Sequence, residues 1–350
     1  MKNSAPRCVI QTIACVQVGC PRRTIDYSDE GSPPRGGENV GECMGRRGLN
    51  ERLAVLTLVA GAGALAACGG NGTPAPSDSG SATSSSAPAP DVAKRCESEA
   101  KDENSLVNPR GKELAMMIVG SAENSTLEWR QAYAYIEYNV EKNGRENRGY
   151  TGGIVGFTSK TSDMLDVVSR YVKAVPNGAL TPYLPALRKV NGTPSYDGLG
   201  PAFRAAWKRA AKDPSFREIQ YNRAIQSYFE PALKAAAEDG VGPLGQFAYV
   251  DASIVHGTGR DPSGLESIRD DAKQHAQPPS AGGDEKRYLS AFLDARVATM
   301  KTELAHSDVS RIESAQRVWL NQGNTCLALP LRWQVYGDDY EVTEITKSGL

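Results

Sequence analysis

From about residue 109 onward, apolar residues recur at helical spacing in one segment after another. Leu165, Val168, Tyr171 and Val172 form one stripe. Phe203, Ala206, Trp207 and Ala210 form a second, and Ile219, Ala224, Tyr228 and Phe229 a third on a long helix that Pro231 should kink. Phe247, Val250, Ile254 and Val255 predict a buried helix closed by Gly257. Phe292, Ala295, Ala298 and Thr299 place another over 284–304, and Ile312, Ala315, Val318 and Trp319 one over 308–321. Strand character is confined to the glycine-rich run 150–158. No internal repeat is visible. The pattern predicts a mainly helical protein, one cooperative unit of two lobes that is long enough to bury a substantial core. Its aromatic residues read as core, with Tyr135 and Tyr228 as exceptions.

The front of the chain follows other rules. Residues 1–43 show no periodicity and read as an unstructured extension ahead of a true start at Met44. Arg46, Arg47 and Arg52 then precede an apolar stretch, 53–67, and Cys68. That is the order of an export signal, 44–67, and the apolar run is too short to cross a bilayer comfortably. Leu65-Ala66-Ala67-Cys68 resembles a bacterial lipobox, which implies cleavage before Cys68 and a diacylglycerol on its sulfur. The Gly, Ser, Pro and Ala residues of 68–91 cannot bury enough apolar surface to order themselves, so they should act as a tether for a folded domain, 92–350. The domain is then extracellular, either held at the outer face of the membrane through Cys68 or secreted.

Composition narrows the function. The chain has 40 basic and 41 acidic residues, a net charge of −1. With no basic stripe interleaved with aromatics, nucleic acid is excluded as a partner. Of seven cysteines, four precede Met44 and one is Cys68. Cys96 and Cys326 remain, and outside the cell such a pair either closes as a disulfide or stays as two free thiols. His256, His275 and His306 lack metal-ligand spacing.

Two stretches carry the candidate chemistry: SAENSTLEW over 121–129 and RGYTGGIVGF over 148–157, with Glu146 just ahead of the second. Cleaving a glycosidic bond needs one carboxyl kept protonated to push the leaving oxygen and one kept ionised to activate water. Glu123 follows Leu114, Met116, Met117 and Ile118 and precedes Leu127 and Trp129, so burial there should disfavour its anion. Glu146 stands among Asn143, Gly144, Asn147 and Arg148, where water and a guanidinium keep a carboxylate charged.

These two stretches, with Asp163-Met164-Leu165, Tyr183-Leu-Pro-Ala-Leu187, GQFAYVDA over 245–252 and FLDAR over 292–296, resemble glycoside hydrolase family 46, the endo-chitosanases. The similarity runs from about Asn108 to Tyr340. It implies an α+β member of the lysozyme-like superfamily, two helical lobes around a cleft with one small β element in the first lobe. The implied activity is inverting endo-hydrolysis of the β-1,4 links of chitosan by a monomer without cofactor, with the two carboxyls about 6.5–9.5 Å apart to admit water.

Carried over residue by residue, the resemblance makes Glu123 the general acid and gives Thr151 a share in holding the attacking water. The family usually reads Asp-Gly-Arg-Gly where this chain has Glu146-Asn147-Arg148-Gly149. Counting back from Arg148 makes Glu146 the base; counting forward from Tyr133 lands on Glu141. Glu146 is preferred, because an insertion is most easily absorbed in the loop before a strand. Substrate contacts are implied for Ser125, Tyr135, Arg148, Gly156, Asp163 and Tyr228, and on the second lobe for Glu303 and His306. Asp308 stands in where Ser307 replaces a usual Asp. Clustered carboxylates would draw a polycationic polysaccharide into the cleft. Asp163 reads equally as an N-cap for the helix that follows it. Glu137, Asp251, Arg296 and Arg311 match a buried ion-pair network. A muramidase or lytic transglycosylase, or a non-catalytic sugar-binding lipoprotein, remains as an alternative.

Overall fold

The structure is a computed structural model that describes Cys96 and residues 103–140, 147–303 and 308–346. The expectations for 1–43, the export signal, Cys68 and the tether lie outside the described residues, as do Glu141, Glu146 and His306.

Helix α1 (Pro109–Asn124) begins with a proline, whose missing N–H is harmless in a first turn, and stops where Ser125 turns left-handed at φ 51°. Its apolar face is wholly buried, and Gly120 lets the chain fold back: a Cβ there would lie 2.8 Å from the Thr126 carbonyl oxygen. Three short antiparallel strands follow, β1 (Ile136–Tyr138), β2 (Tyr150–Gly152) and β3 (Phe157–Thr158). Their register sets Glu137 opposite Thr151 and Tyr138 opposite Tyr150. Helices α2 (Asp163–Ala174), α3 (Leu184–Val190), α4 (Gly200–Ala210) and α5 (Pro214–Ala224) complete the first lobe. Trp207 and Gln220 lock α4 and α5 to the turn at 129–134 by donating to the buried Tyr133 carbonyl, at 3.1 and 3.2 Å.

The long helix runs on from α5 through a widened π turn, Ile225–Phe229, into α6 (Glu230–Asp239). Pro231 cannot donate to the preceding turn, and the wider turn takes up the mismatch that the sequence predicts as a kink. The second lobe holds α7 (Pro243–His256), capped by Gly257 at φ 80°, α8 (Leu265–His275) and α9 (Glu285–Thr302). A second π turn, Ile312–Gln316, leads into α10 (Arg317–Asn321), followed by a hairpin of β4 (Leu331–Val335) and β5 (Asp338–Val342). The fold is mainly helical with minor β elements around a cleft, a lysozyme-like α+β arrangement.

Strand structure reaches further than 150–158. β1 is three residues long, too short for a period of two to register in sequence. The hairpin does carry its pattern: Leu331, Trp333 and Val335 are buried while Arg332 and Gln334 face solvent. The stripe on α9 is also displaced, since Ala298 is exposed and Leu289, Phe292, Leu293, Arg296 and Met300 are buried. Cys96 and Cys326 are joined as a disulfide with 5.3 Å between their Cα atoms. Among the described residues no helix is long and apolar enough to cross a membrane.

A buried polar cluster fastens the second lobe. The Asp239 carboxylate, at the end of α6, accepts from Tyr249, Tyr288 and Arg269 at 2.6, 3.0 and 2.8 Å, with Lys273 2.8 Å from its other oxygen. Burial opposes ionisation of Asp239, but Arg269, Lys273 and Tyr249 outweigh it and hold the carboxyl at about 2 against an ordinary 3.8. A carboxyl depressed by folding contributes its full stability above about pH 4 and loses it as pH falls toward 2. That contribution is about 2 kcal/mol. Urea denaturation should therefore show stability falling between pH 4 and pH 2, and Asp239→Asn should flatten that slope while lowering stability at neutral pH. A variant with the wild-type slope would refute the assignment.

Candidate active site

Glu123 sits in the last turn of α1, where the helix runs out of its buried face. Its side chain is 32% exposed, so the apolar shielding expected from its sequence neighbours is absent. Instead Glu123 Oε1 accepts from Arg311 Nη1 at 2.9 Å. The apolar residues before it are on the buried side of α1, while position 123 points off that face.

Arg311 is itself held from behind. Its Nη2 and Nε donate to the two oxygens of Asp251 at 2.5 and 3.3 Å. Arg296 Nη2 stands 2.8 Å from Asp251 Oδ2, which also accepts from Gln316 Nε2 at 2.8 Å. Asp251 on α7 and Arg296 on α9 are 2% and 0% exposed. Burial disfavours the Asp251 anion, yet the charges of Arg311 and Arg296 more than reverse this and hold the carboxyl below its ordinary range. Burial lowers the Arg296 guanidinium, with Asp251 opposing; in Arg311, Asp251 and Glu123 prevail over burial and raise it. Three of the four residues expected in an ion-pair network thus form one chain of charge ending at Glu123. The fourth, Glu137, accepts from the Tyr135 hydroxyl at 3.4 Å. Gln316 was not legible as a member, because a neutral amide inside a helical stripe carries no charge signal.

The first lobe supplies the other wall. Thr151, central in β2, is buried, and its hydroxyl oxygen has no hydrogen-bond partner among the described residues. Left-handed Gly156 (φ 69°) lies against it, with a would-be Cβ 3.4 Å from Thr151 Cγ2. Asp163 opens α2 rather than capping it; the N-cap position is Ser162. Its Oδ1 accepts from the Thr158 and Met164 backbone N–H groups at 2.8 and 2.9 Å and from the Thr161 hydroxyl at 2.8 Å. These bonds leave the second carboxylate oxygen open. Burial raises the Asp163 carboxyl above its ordinary value, and the same hydrogen bonds counter it.

Tyr228 lies in the π turn. Burial pushes its phenol up to about 12, with the negative charges of Asp163 and Glu123 adding and the cations Arg223 and Arg148 opposing. The phenol therefore stands within electrostatic reach of Asp163, Arg148 and Glu123, which come from three different elements. Ser125 is the left-handed residue that ends α1, and its side chain counters the rise that burial and Asp338 give the Tyr340 phenol. On the second lobe Glu303 Oε1 lies 3.3 Å from His256 Nδ1, and Asp308 Oδ1 accepts from the Ser310 N–H at 2.8 Å. His256 was passed over in the sequence for want of metal spacing; its contact with Glu303 depends on the fold.

A carboxyl at a helix end, a buried hydroxyl without a partner among the described residues, and acidic side chains over a lysozyme-like cleft suit a glycoside hydrolase. Residues 117–331 match the glycosyl hydrolase family 46 profile, and the chain belongs to that family. It is 49% identical to a chitosanase of Streptomyces sp. (strain N174) over 237 residues, 68% of this chain and 84% of that protein. A solved chitosanase complex superposes with a TM-score of 0.64 at 46% identity, covering 68% of this chain and 99% of that one. A Gynuella sunshinyii chitosanase bound to chitotetraose superposes with a TM-score of 0.61 at 33% identity, covering 67% and 98%.

Asp251→Asn removes the anion between two buried guanidiniums and should cost about 3–5 kcal/mol, a fall in Tm on the order of 10 °C. Thermal denaturation reads this directly, and an unchanged Tm would show that the buried charges do not depend on one another.

Proposed function

We propose that the protein is an endo-chitosanase that cleaves β-1,4 links between glucosamine units with inversion. The observation that carries this reading, together with family membership, is the geometry at Glu123. Arg311 engages Oε1 alone, leaving Oε2 to carry the proton that passes to the departing glycosidic oxygen. Glu146, just before β2, takes a proton from water as it attacks the anomeric carbon from the opposite face. The Thr151 hydroxyl, buried in that strand without a partner among the described residues, holds the water. Each bond that forms is matched: the carbon–oxygen bond to the leaving sugar breaks as the one to water closes, and one proton is released as another is delivered.

Substrate choice follows from charge. Asp163 offers one open oxygen for an ammonium while its other is fixed by the backbone. The family resemblance further assigns sugar contacts to Arg148, Tyr135, Tyr228, Ser125 and Gly156 from the first lobe and to Glu303, His306 and Asp308 from the second. A polymer of protonated amines is favoured there over a neutral acetylated one.

Purified protein should release reducing ends from chitosan and not from chitin or cell wall, and Glu123→Gln should lower kcat by at least about 100-fold. Glu146→Gln should do the same while Glu141→Gln leaves most activity; the reverse would move the base to Glu141, and hydrolysis of cell wall alone would overturn the reading.

We further propose that the enzyme is exported and anchored through a lipid on Cys68, which the order Arg46-Arg47, apolar run, Leu65-Ala66-Ala67-Cys68 supports. Cys68→Ala should move activity from the membrane fraction to the culture fluid. An unchanged distribution would remove the anchor from the proposal.

A further inference from the structure

The hairpin β4–β5 packs against the catalytic helix with a regularity that the family motifs do not account for. Trp333 on β4 donates its indole N–H to Ser121 Oγ at 3.0 Å, two residues before Glu123. Directly opposite Trp333 on β5 is Tyr340, whose phenol feels the side chain of Ser125, two residues after Glu123. The two rings stack with 5.7 Å between centroids. One cross-strand aromatic pair therefore grips α1 on both sides of the candidate acid.

The tip of this hairpin is Tyr336-Gly337, the two residues between the paired Val335 and Asp338. Both have positive φ, 53° and 87°. A two-residue turn of this kind favours Asn-Gly, and a bulky residue in its first position is strained. Backbone strain of that sort persists where the surroundings enforce it, often beside a functional site. Here the Tyr336 N–H donates to Ser310 Oγ at 3.0 Å, which fixes the turn to the residue before Arg311.

The Tyr336 side chain is half-buried, and its backbone is fixed one residue from Arg311, the partner of Glu123. The charges that reach its phenol are those of Arg311, Glu123, Asp308 and Asp251. Burial pushes the phenol above its ordinary value, Arg311 pulls it back, and the three carboxylates add to the rise, so the hydroxyl keeps its proton. No hydrogen bond to another described residue occupies that hydroxyl, so it is open to a ligand.

We propose that Tyr336 is a substrate-binding residue, whose hydroxyl hydrogen-bonds the aminosugar unit lying against Glu123. This rests on the chitosanase reading above. The position falls beyond residue 331, where the family profile ends. The charge of Asp308, proposed above as a sugar contact, also reaches this phenol. The strained turn is then the cost of holding a ring where Asn would fold more easily.

The experiment uses the full enzyme, its glucosamine-hexamer substrate and two variants. Tyr336→Phe keeps the ring and the turn and deletes one oxygen; it should lower kcat/KM about fivefold, chiefly through KM, with Tm unchanged. Tyr336→Asn suits the left-handed turn and removes the ring; it should lower kcat/KM at least as far while still unfolding cooperatively. Binding of the hexamer to Glu123→Gln with and without Tyr336→Phe, by calorimetry, should show the same fivefold loss. Wild-type kcat/KM and affinity in Tyr336→Phe overturn the inference, as does a loss that appears only in Tm. If the wild-type enzyme itself does not cut the hexamer, the chitosanase reading fails, and the calorimetric comparison still decides the role of Tyr336.

Discussion

A carboxylate that is 2% exposed cannot stay ionised inside a protein unless cations surround it, and the placement of Asp251 organises the site around that requirement. Arg296 from α9 and Arg311 from the start of the second π turn meet on it, and Gln316 fills the remaining direction. Arg311 then has one nitrogen left for Glu123. The orientation of the candidate acid is thus set by a charge deep in the second lobe rather than by its own helix. Burial alone would have left that carboxyl free to rotate, whereas a guanidinium fixed by two hydrogen bonds to Asp251 gives it one direction.

Both π turns fall where the site needs a side chain off the regular helical path. Tyr228 comes from the first, which absorbs Pro231, and Arg311 stands immediately before the second. Widened turns inside helices recur at functional sites. On the opposite wall Gly153 and Gly156, at φ 82° and 69°, let the β2–β3 turn close over Thr151 without side chains of their own.

The helices were legible because their apolar stripes are long: Phe203, Ala206, Trp207 and Ala210 are all buried as their spacing requires. The pairing of Asp251 with arginines was legible too, since a charge in an apolar helix needs a partner. The exposure of Glu123 was not, because its sequence neighbours are apolar while its own face of the helix ends in solvent. The cluster at Asp239 escaped for a related reason: Tyr249, Arg269, Lys273 and Tyr288 lie on three helices, and nothing local marks them as partners. The hairpin's alternation was present in Leu331, Trp333 and Val335, but five residues give a weak signal beside fourteen-residue helices.

The bond between Cys96 and Cys326 closes 230 positions of sequence into a covalent ring that takes in nearly every residue of the site. A protease that nicks any one peptide bond within that ring produces two pieces still tied through sulfur, with Glu123 and Arg311 kept on the same tethered body. Wherever proteases are common and reductants scarce, the ring turns a first cut from a loss of the enzyme into a scar that it can carry.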